Sequence, residues 1–187
     1  MSISLSKGQT LSLAKNNPGL SRVFMGLGWD PVDDYDDEDG SIDLDASVIV
    51  FDRNGQELES VSFYNLTSED GSIQHAGDNL TGDGEGDDEI IHVDLGRISP
   101  EAAHLVFTVT SFQGQTFDEV DNAFSRLVDA VTGMELCRYT LRDQGPHTGV
   151  IMVCLSRTGS GWTIKALGSA CDGYTVDEIS DFARHLL

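Results

Sequence analysis

Apolar residues follow two rhythms along this chain. The commoner one has period 2 or runs unbroken for a few residues, which marks strands. Leu5 to Leu13 alternates around Gly8 and reads as a hairpin. Arg22 to Leu27 is a short apolar strand that stops at Gly28-Trp29-Asp30-Pro31. Ser47 to Phe51 is a continuous run of the buried-strand kind, and Val61 to Tyr64 reads as another strand. Ile91, Val93 and Leu95 alternate with polar residues, as in a half-buried strand. His104 to Thr110, Glu135 to Leu141, Val150 to Ser156 and Trp162 to Leu167 complete the set. The second rhythm is helical. Thr116 with Glu119 has the form of a capping box. Phe117, Val120, Phe124, Leu127 and Val131 then recur at helical spacing until Gly133. Thr175 with Glu178 repeats the device ahead of Val176, Ile179, Phe182 and Leu186. Stripes of this kind face a core. The prediction is a mainly β protein, a sandwich of two sheets of short strands with two or more peripheral α-helices. No repeat or linker divides it, so residues 1–187 read as one domain.

Charge narrows the function classes. The chain of 187 residues has 11 Lys and Arg against 32 Asp and Glu, a net charge of −21. The imbalance is concentrated: residues 1–94 hold 21 acids and 4 bases (−17), and 95–187 hold 11 and 7 (−4). Such a field repels nucleic acid and attracts cations or basic partners, so no direct nucleic-acid binding is expected. Cys137, Cys154 and Cys171 lack paired Cys-x-x-Cys spacing, which argues against a zinc site or a disulfide framework. Cys137 and Cys154 read as small buried hydrophobes. Met1 to Thr10 has no apolar signal core, and no apolar run approaches the ~18 residues of a spanning helix. A reduced, cytoplasmic setting is expected.

The chemistry gathers in Gly77 to Glu89. These thirteen residues contain four glycines, one apolar side chain and seven possible oxygen donors: Asp78, Asn79, Asp83, Glu85, Asp87, Asp88 and Glu89. Gly82, Gly84 and Gly86 can take φ > 0, letting the backbone coil and turn its carbonyls inward. Carboxylates held this close repel by ~1 kcal/mol per pair at 4 Å even in bulk water. A compact loop of this kind calls for a cation, and mixed hard oxygen ligands suit Ca²⁺ better than Mg²⁺. The alternative is a solvated acidic loop. An EF-hand does not fit: with Asp78 first and Glu89 twelfth, Leu80 and Gly82 fall on ligand positions and Asp83 on the invariant glycine. A glycine-aspartate nonapeptide would need stacked copies, and there is one.

Other acids frame this loop. Asp43 and Asp45 precede the Ser47–Phe51 run, and at period 2 their carboxylates leave one face. They can form a second wall to the site, or be two exposed acids at a strand start. Asp33 to Asp39 packs six acids into seven residues, which reads as a solvated loop. His75, three residues before Asp78, is expected to hydrogen-bond the loop backbone, not a hard cation. Asp43-Leu-Asp-Ala-Ser47 also has the superficial form of a Mg²⁺-dependent phosphotransferase or hydrolase using the Asp43/Asp45 pair. In that family, however, the buried strand precedes the aspartates, and a βα alternation absent here builds a doubly wound sheet.

The chain resembles the TerD (tellurium-resistance, stress-response) family over most of its length. The resemblance is carried by Ser4-Leu-Ser-Lys-Gly8, Gly26-Leu-Gly-Trp-Asp30, Asp43-Leu-Asp-Ala-Ser47, and His75 followed by Gly77-Asp-Asn-Leu-Thr-Gly82. It continues through Gly86-Asp-Asp-Glu89, Phe117 with Val120 through Ala123-Phe-Ser-Arg126, and Arg138-Tyr139. It implies a calcium-binding β-sandwich with two neighbouring Ca²⁺ ions, without established enzymatic activity, acting in resistance to tellurite and other chemical stress. Carried over position by position, the implied ligands are Asp43, Asp45, Asp78, Asn79, Asp87, Asp88 and Glu89, completed by main-chain carbonyls near Gly82 and Gly84. Asp30 also matches a family position. The implied partners are other proteins of a stress-response complex, with membrane association left open. The chain departs from the family in its more charged 33–39 run and in the stretch from Cys171.

Overall fold

The first sheet has six strands. In spatial order they are β1 (Thr10–Ser12), β11 (Gly161–Cys171), β10 (Gly149–Thr158), β7 (His104–Ser111), β3 (Leu44–Phe51) and β4 (Glu57–Val61). The second has five: β5 (Ile73–His75), β6 (Glu89–Asp94), β2 (Arg22–Gly28), β8 (Phe124–Asp129) and β9 (Glu135–Thr140). This is a computed structural model, and it describes residues 7–12, 20–30, 42–159 and 161–187. Every strand pairing among them is antiparallel. The architecture is the expected two-sheet sandwich, and the described residues form no doubly wound parallel sheet of the kind the phosphotransferase reading requires. The 33–39 run and the ends of the Leu5–Leu13 segment (residues 5, 6 and 13) lie outside the described residues; Thr10–Ser12 pairs with Thr163 to Lys165 of β11.

Burial explains the sequence rhythms. β2, β6 and β8 bury Val23, Met25, Leu27, Ile91, Val93 and Leu127 against Leu44, Ala46, Val48 and Val50 of β3. β3 is buried along its whole length because its other face is covered too. Ile49 and Phe51, with Val106, Ile151, Cys154 and Leu167, pack beneath helix α1 (Val176–Arg184) through Val176, Ile179 and Ala183. That double cover is why Ser47 to Phe51 reads as a continuous apolar run. Cys137 and Cys154 are buried, and Cys171 is half-buried.

Three expectations are corrected. The 116–131 helix is not formed, and α1 is the one α-helix among the described residues. Half of the capping box does form: the Thr116 N–H donates to the Glu119 carboxylate at 2.8 Å, while the Glu119 N–H donates to the Thr116 carbonyl at 2.9 Å, a turn bond, and not to the Thr116 hydroxyl. The chain leaves that single turn at Asn122 (φ 53°) and enters β8, which pairs with β2 on one side and β9 on the other. Phe117, Val120 and Leu127 are buried as the stripe implied, but a ladder on both edges of Phe124–Asp129 outweighs one capped turn. The strand placed at Val61–Tyr64 ends at Val61 instead, and Phe63 and Tyr64 form the tip of a tight Ser62–Asn65 turn. In α1, Phe182 is 40% exposed, and Ser180 and Ala183 take its place on the buried side.

Left-handed backbone costs a residue with a Cβ roughly 1–2 kcal/mol, less for asparagine. Asn122→Ala should therefore destabilise the protein by about 1 kcal/mol, whereas Asn122→Gly, which loses the same side chain, should not. Urea unfolding of both variants checks this, and equal losses would show that the side chain, not φ, matters.

Candidate metal centre

The loop of residues 77–88 can pass close over β2 because that strand lets it. Gly26 and Gly28 are on β2, two residues apart and so on the same side. A Cβ on Gly26 would lie 2.4 Å from the Asp87 carboxyl carbon, and one on Gly28 would lie 2.3 Å from the Gly86 carbonyl. Only glycine admits that approach. The Asp88 N–H donates to the Leu27 carbonyl at 2.7 Å, pinning the loop's end to β2. Gly77, Gly82, Gly84 and Gly86 all have positive φ (138°, 71°, 156° and 100°), in line with the coiling expected of Gly82, Gly84 and Gly86. Asn79 organises the inner turn: its Oδ1 accepts from the Thr81 N–H (3.1 Å) and the Gly82 N–H (3.0 Å).

Trp29 ties this loop to β3. Its backbone N–H donates to Asp88 Oδ2 (2.9 Å) and its indole N–H to the Ile42 carbonyl (2.9 Å). The ring packs so closely on Gly82 that a Cβ there would lie 2.5 Å from the indole nitrogen. Glu89 makes a second tie. Its carboxylate accepts from the Ala46 N–H (2.8 Å) and the Asn79 N–H (3.2 Å). His75 supports Glu89 from below, with Nε2 at 3.4 Å from the carboxylate while Nδ1 accepts the Gly77 N–H at 3.2 Å. The histidine thus serves the loop backbone, as expected.

Within this frame Asp43, Asp45 and Asp78 converge, one carboxylate oxygen of each lying within 4.8 Å of the others. Asp43 and Asp45 are 5% and 2% exposed, and Asp43 Oδ1 and Asp45 Oδ2 have no hydrogen-bond partner among the described residues. Thr110, the cross-strand partner of Asp45, also has a buried hydroxyl without a partner. Burial, then Asp78 and Glu89, pushes the Asp43 carboxyl up to about 6. Burial, then Glu89, Asp43 and Asp78, pushes Asp45 up to about 8. Asp88 is raised by burial, offset in part by the Trp29 N–H.

The remaining acids of the loop are placed differently. Asp87 is held by Arg126, whose Nε and Nη2 donate to its two oxygens at 2.8 Å each. Asp83 and Glu85 are exposed. Asp30 pairs with the Asn122 side-chain amide. The sequence offered Gly26, Gly28, Trp29 and Arg126 only as parts of a motif. The signal for the first two was there: alternate glycines inside a strand mark a close backbone approach. Nothing local marks Trp29 or Arg126, whose partners lie 59 and 39 residues away.

A carboxyl with its folded pKa above the unfolded value of 3.8 holds its proton more tightly when folded, so stability falls as pH rises between the two values. Chelator-stripped protein should therefore lose stability from about pH 4 to about pH 8 on account of Asp43 and Asp45. Asp45→Asn should flatten that decline. Thermal melts across this range in chelator check it, and an unchanged slope in the variant would refute the assignment.

Comparison with known proteins supports the architecture and identifies the family. A family model described as the TerD domain matches residues 1–182. The tellurium resistance protein TerZ of Serratia marcescens is 46% identical over 183 residues, covering 95% of this chain and 94% of its own length. The general stress protein 16U of Bacillus subtilis (strain 168) is 42% identical over 181 residues, covering 92% and 93%. Among solved structures, a homologue of telluride resistance protein (TerD) from Streptomyces coelicolor A3(2) superposes with a TM-score of 0.78 at 25% identity. That match covers 88% of this chain and 98% of the other. None of these names is that of an enzyme, and no helix among the described residues is long and apolar enough to cross a membrane. The chain belongs to the TerD family.

Proposed function

We propose that the protein is a non-enzymatic Ca²⁺-binding module of tellurite and chemical stress resistance, which works by presenting a calcium-stabilised surface to other proteins of a stress-response complex. The observation that carries the metal is the Asp43–Asp45–Asp78 group. Its oxygens lie within the ~5 Å that two ligands of one Ca²⁺ can span at 2.3–2.6 Å each. The two buried oxygens without hydrogen-bond partners have the donor chemistry a cation satisfies. The donor set is all oxygen, with no cysteine, which favours Ca²⁺ over Zn²⁺.

The group assigns roles to the other expected ligands. Asp43, Asp45 and Asp78 hold the first ion, and Glu89 fixes the two walls at their spacing. Asn79, Asp88 and the carbonyls near Gly82 and Gly84 are the donors left for a second ion. Asp87 serves as an anchor to Arg126 more than as a ligand. The names of the TerD relatives support the stress role.

Two measurements test this. Calorimetry on chelator-stripped protein should show tighter binding of Ca²⁺ than of Mg²⁺, with a stoichiometry of two; equal affinities would remove the case for a calcium site. Saturating Ca²⁺ at about a hundred times its dissociation constant should raise the melting temperature by about 5–11 °C. Asp45→Asn should raise the metal-free melting temperature, since it removes a buried carboxyl that must take up a proton to fold, yet abolish the calcium-induced rise. Asp83→Asn should leave that rise intact. If Asp45→Asn melts lower than the wild type in chelator, the aspartate is structural and not a metal ligand.

A further inference from the structure

At the end of β2, β5 and β6 remote from the carboxylate group lies a cavity of about 310 Å³, lined chiefly by Arg22, Ser72, Gln74, His92, Asp94 and Arg97. It is separate from the metal centre: along β6, Asp94 stands five residues from Glu89, ~17 Å. Its chemistry runs against that of the molecule. With 32 acids for 11 Lys and Arg, an arginine in this protein readily finds a carboxylate. Arg126, Arg138, Arg142 and Arg184 each do. Arg157 instead donates to the carbonyls of Ile98, Ser99 and Ala102. Arg22, Arg53 and Arg97 form no ion pair with any described residue, and of these Arg22 and Arg97, both exposed, line this one cavity.

The lining is also arranged for donation. Arg97 is tethered by one bond, from Nη2 to the Asp70 carbonyl at 3.2 Å, which positions the guanidinium and leaves most of its five donors. Asp94, the one carboxylate on the lining, accepts the Gly96 N–H at 3.0 Å. Ser72 is 3% exposed, and its hydroxyl lies beside the Asp70 carboxylate, which also accepts the Ser72 N–H at 2.8 Å. Gln74 and His92 add further polar groups and are exposed. The net charge does not forbid an anion here. At physiological ionic strength, exposed charges beyond ~8 Å are largely screened, so the local balance decides, two guanidiniums against the one Asp94 carboxylate of the lining.

We propose that this cavity binds a dianionic oxyanion, as free phosphate or as the phosphate group of a small ester, held by the guanidiniums of Arg22 and Arg97. Its volume is at the lower end of the ~300–1,000 Å³ of small-molecule sites, room for a phosphate together with the organic part of a small ester. The site does not depend on calcium being bound at the other end.

Inorganic phosphate and glycerol phosphate are the probes, titrated separately at physiological salt with chelator present and followed by amide chemical shifts. The expected result is saturable change confined to residues 22–23, 71–74, 92–97 and 130. The tighter-bound of the two probes distinguishes free anion from ester. Arg22→Gln and Arg97→Gln should each weaken binding about tenfold or more, with melting temperatures showing that both variants fold. Arg142→Gln removes the same charge elsewhere and should leave binding unchanged. Non-saturating shifts with both probes, or an equal loss in Arg142→Gln, would overturn the site.

Discussion

Like-charge repulsion among carboxylates taken out of water governs this molecule. Two unit charges 4 Å apart repel by about 1 kcal/mol in bulk water and ~4 kcal/mol at the effective polarity near a protein surface. Asp43 and Asp45 are almost fully buried, and Asp78 and Glu89 both act on them. A stable fold does not gather such groups unless a proton or a cation neutralises them. The raised Asp43 and Asp45 values are the proton's answer, and calcium is the answer proposed here.

Much of the surrounding structure is there to hold that arrangement against its own repulsion. Glu89 grips β3 through the Ala46 amide and the loop through the Asn79 amide. Trp29 grips the loop through Asp88 and the start of β3 through Ile42. Arg126 anchors Asp87 outside the cluster with a bidentate pair, a geometry that fixes orientation as well as charge. Gly26 and Gly28 clear the surface over which the loop passes. These ties come from both sheets, so the carboxylates are positioned by the sandwich as a whole and not by the loop alone.

The sandwich and the acidic loop were legible in the sequence because both are local signals: period-2 burial, glycine at positions of positive φ, and a high density of oxygen donors. The 116–131 segment was misread because its helical spacing and capping box are local as well, while the strand pairings that decide Phe124–Asp129 are not. The same limit hid how the site is held. Asp43 and Asp45 could be placed on one wall, but which acids face them depended on contacts across the sheets. Those contacts put Asp78 in the group and turned Asp87 toward Arg126.

Native-state hydrogen exchange, with and without a chelator, tests the calcium clamp most directly. If the ion joins Asp43 and Asp45 to the glycine-rich loop, calcium should slow exchange in residues 43–47 and 77–90. The strands β7, β10 and β11 and helix α1, which bury their apolar faces without the loop, should stay unchanged. Identical exchange throughout the molecule in the two conditions would contradict the clamp and leave residues 77–89 as a solvated acidic surface.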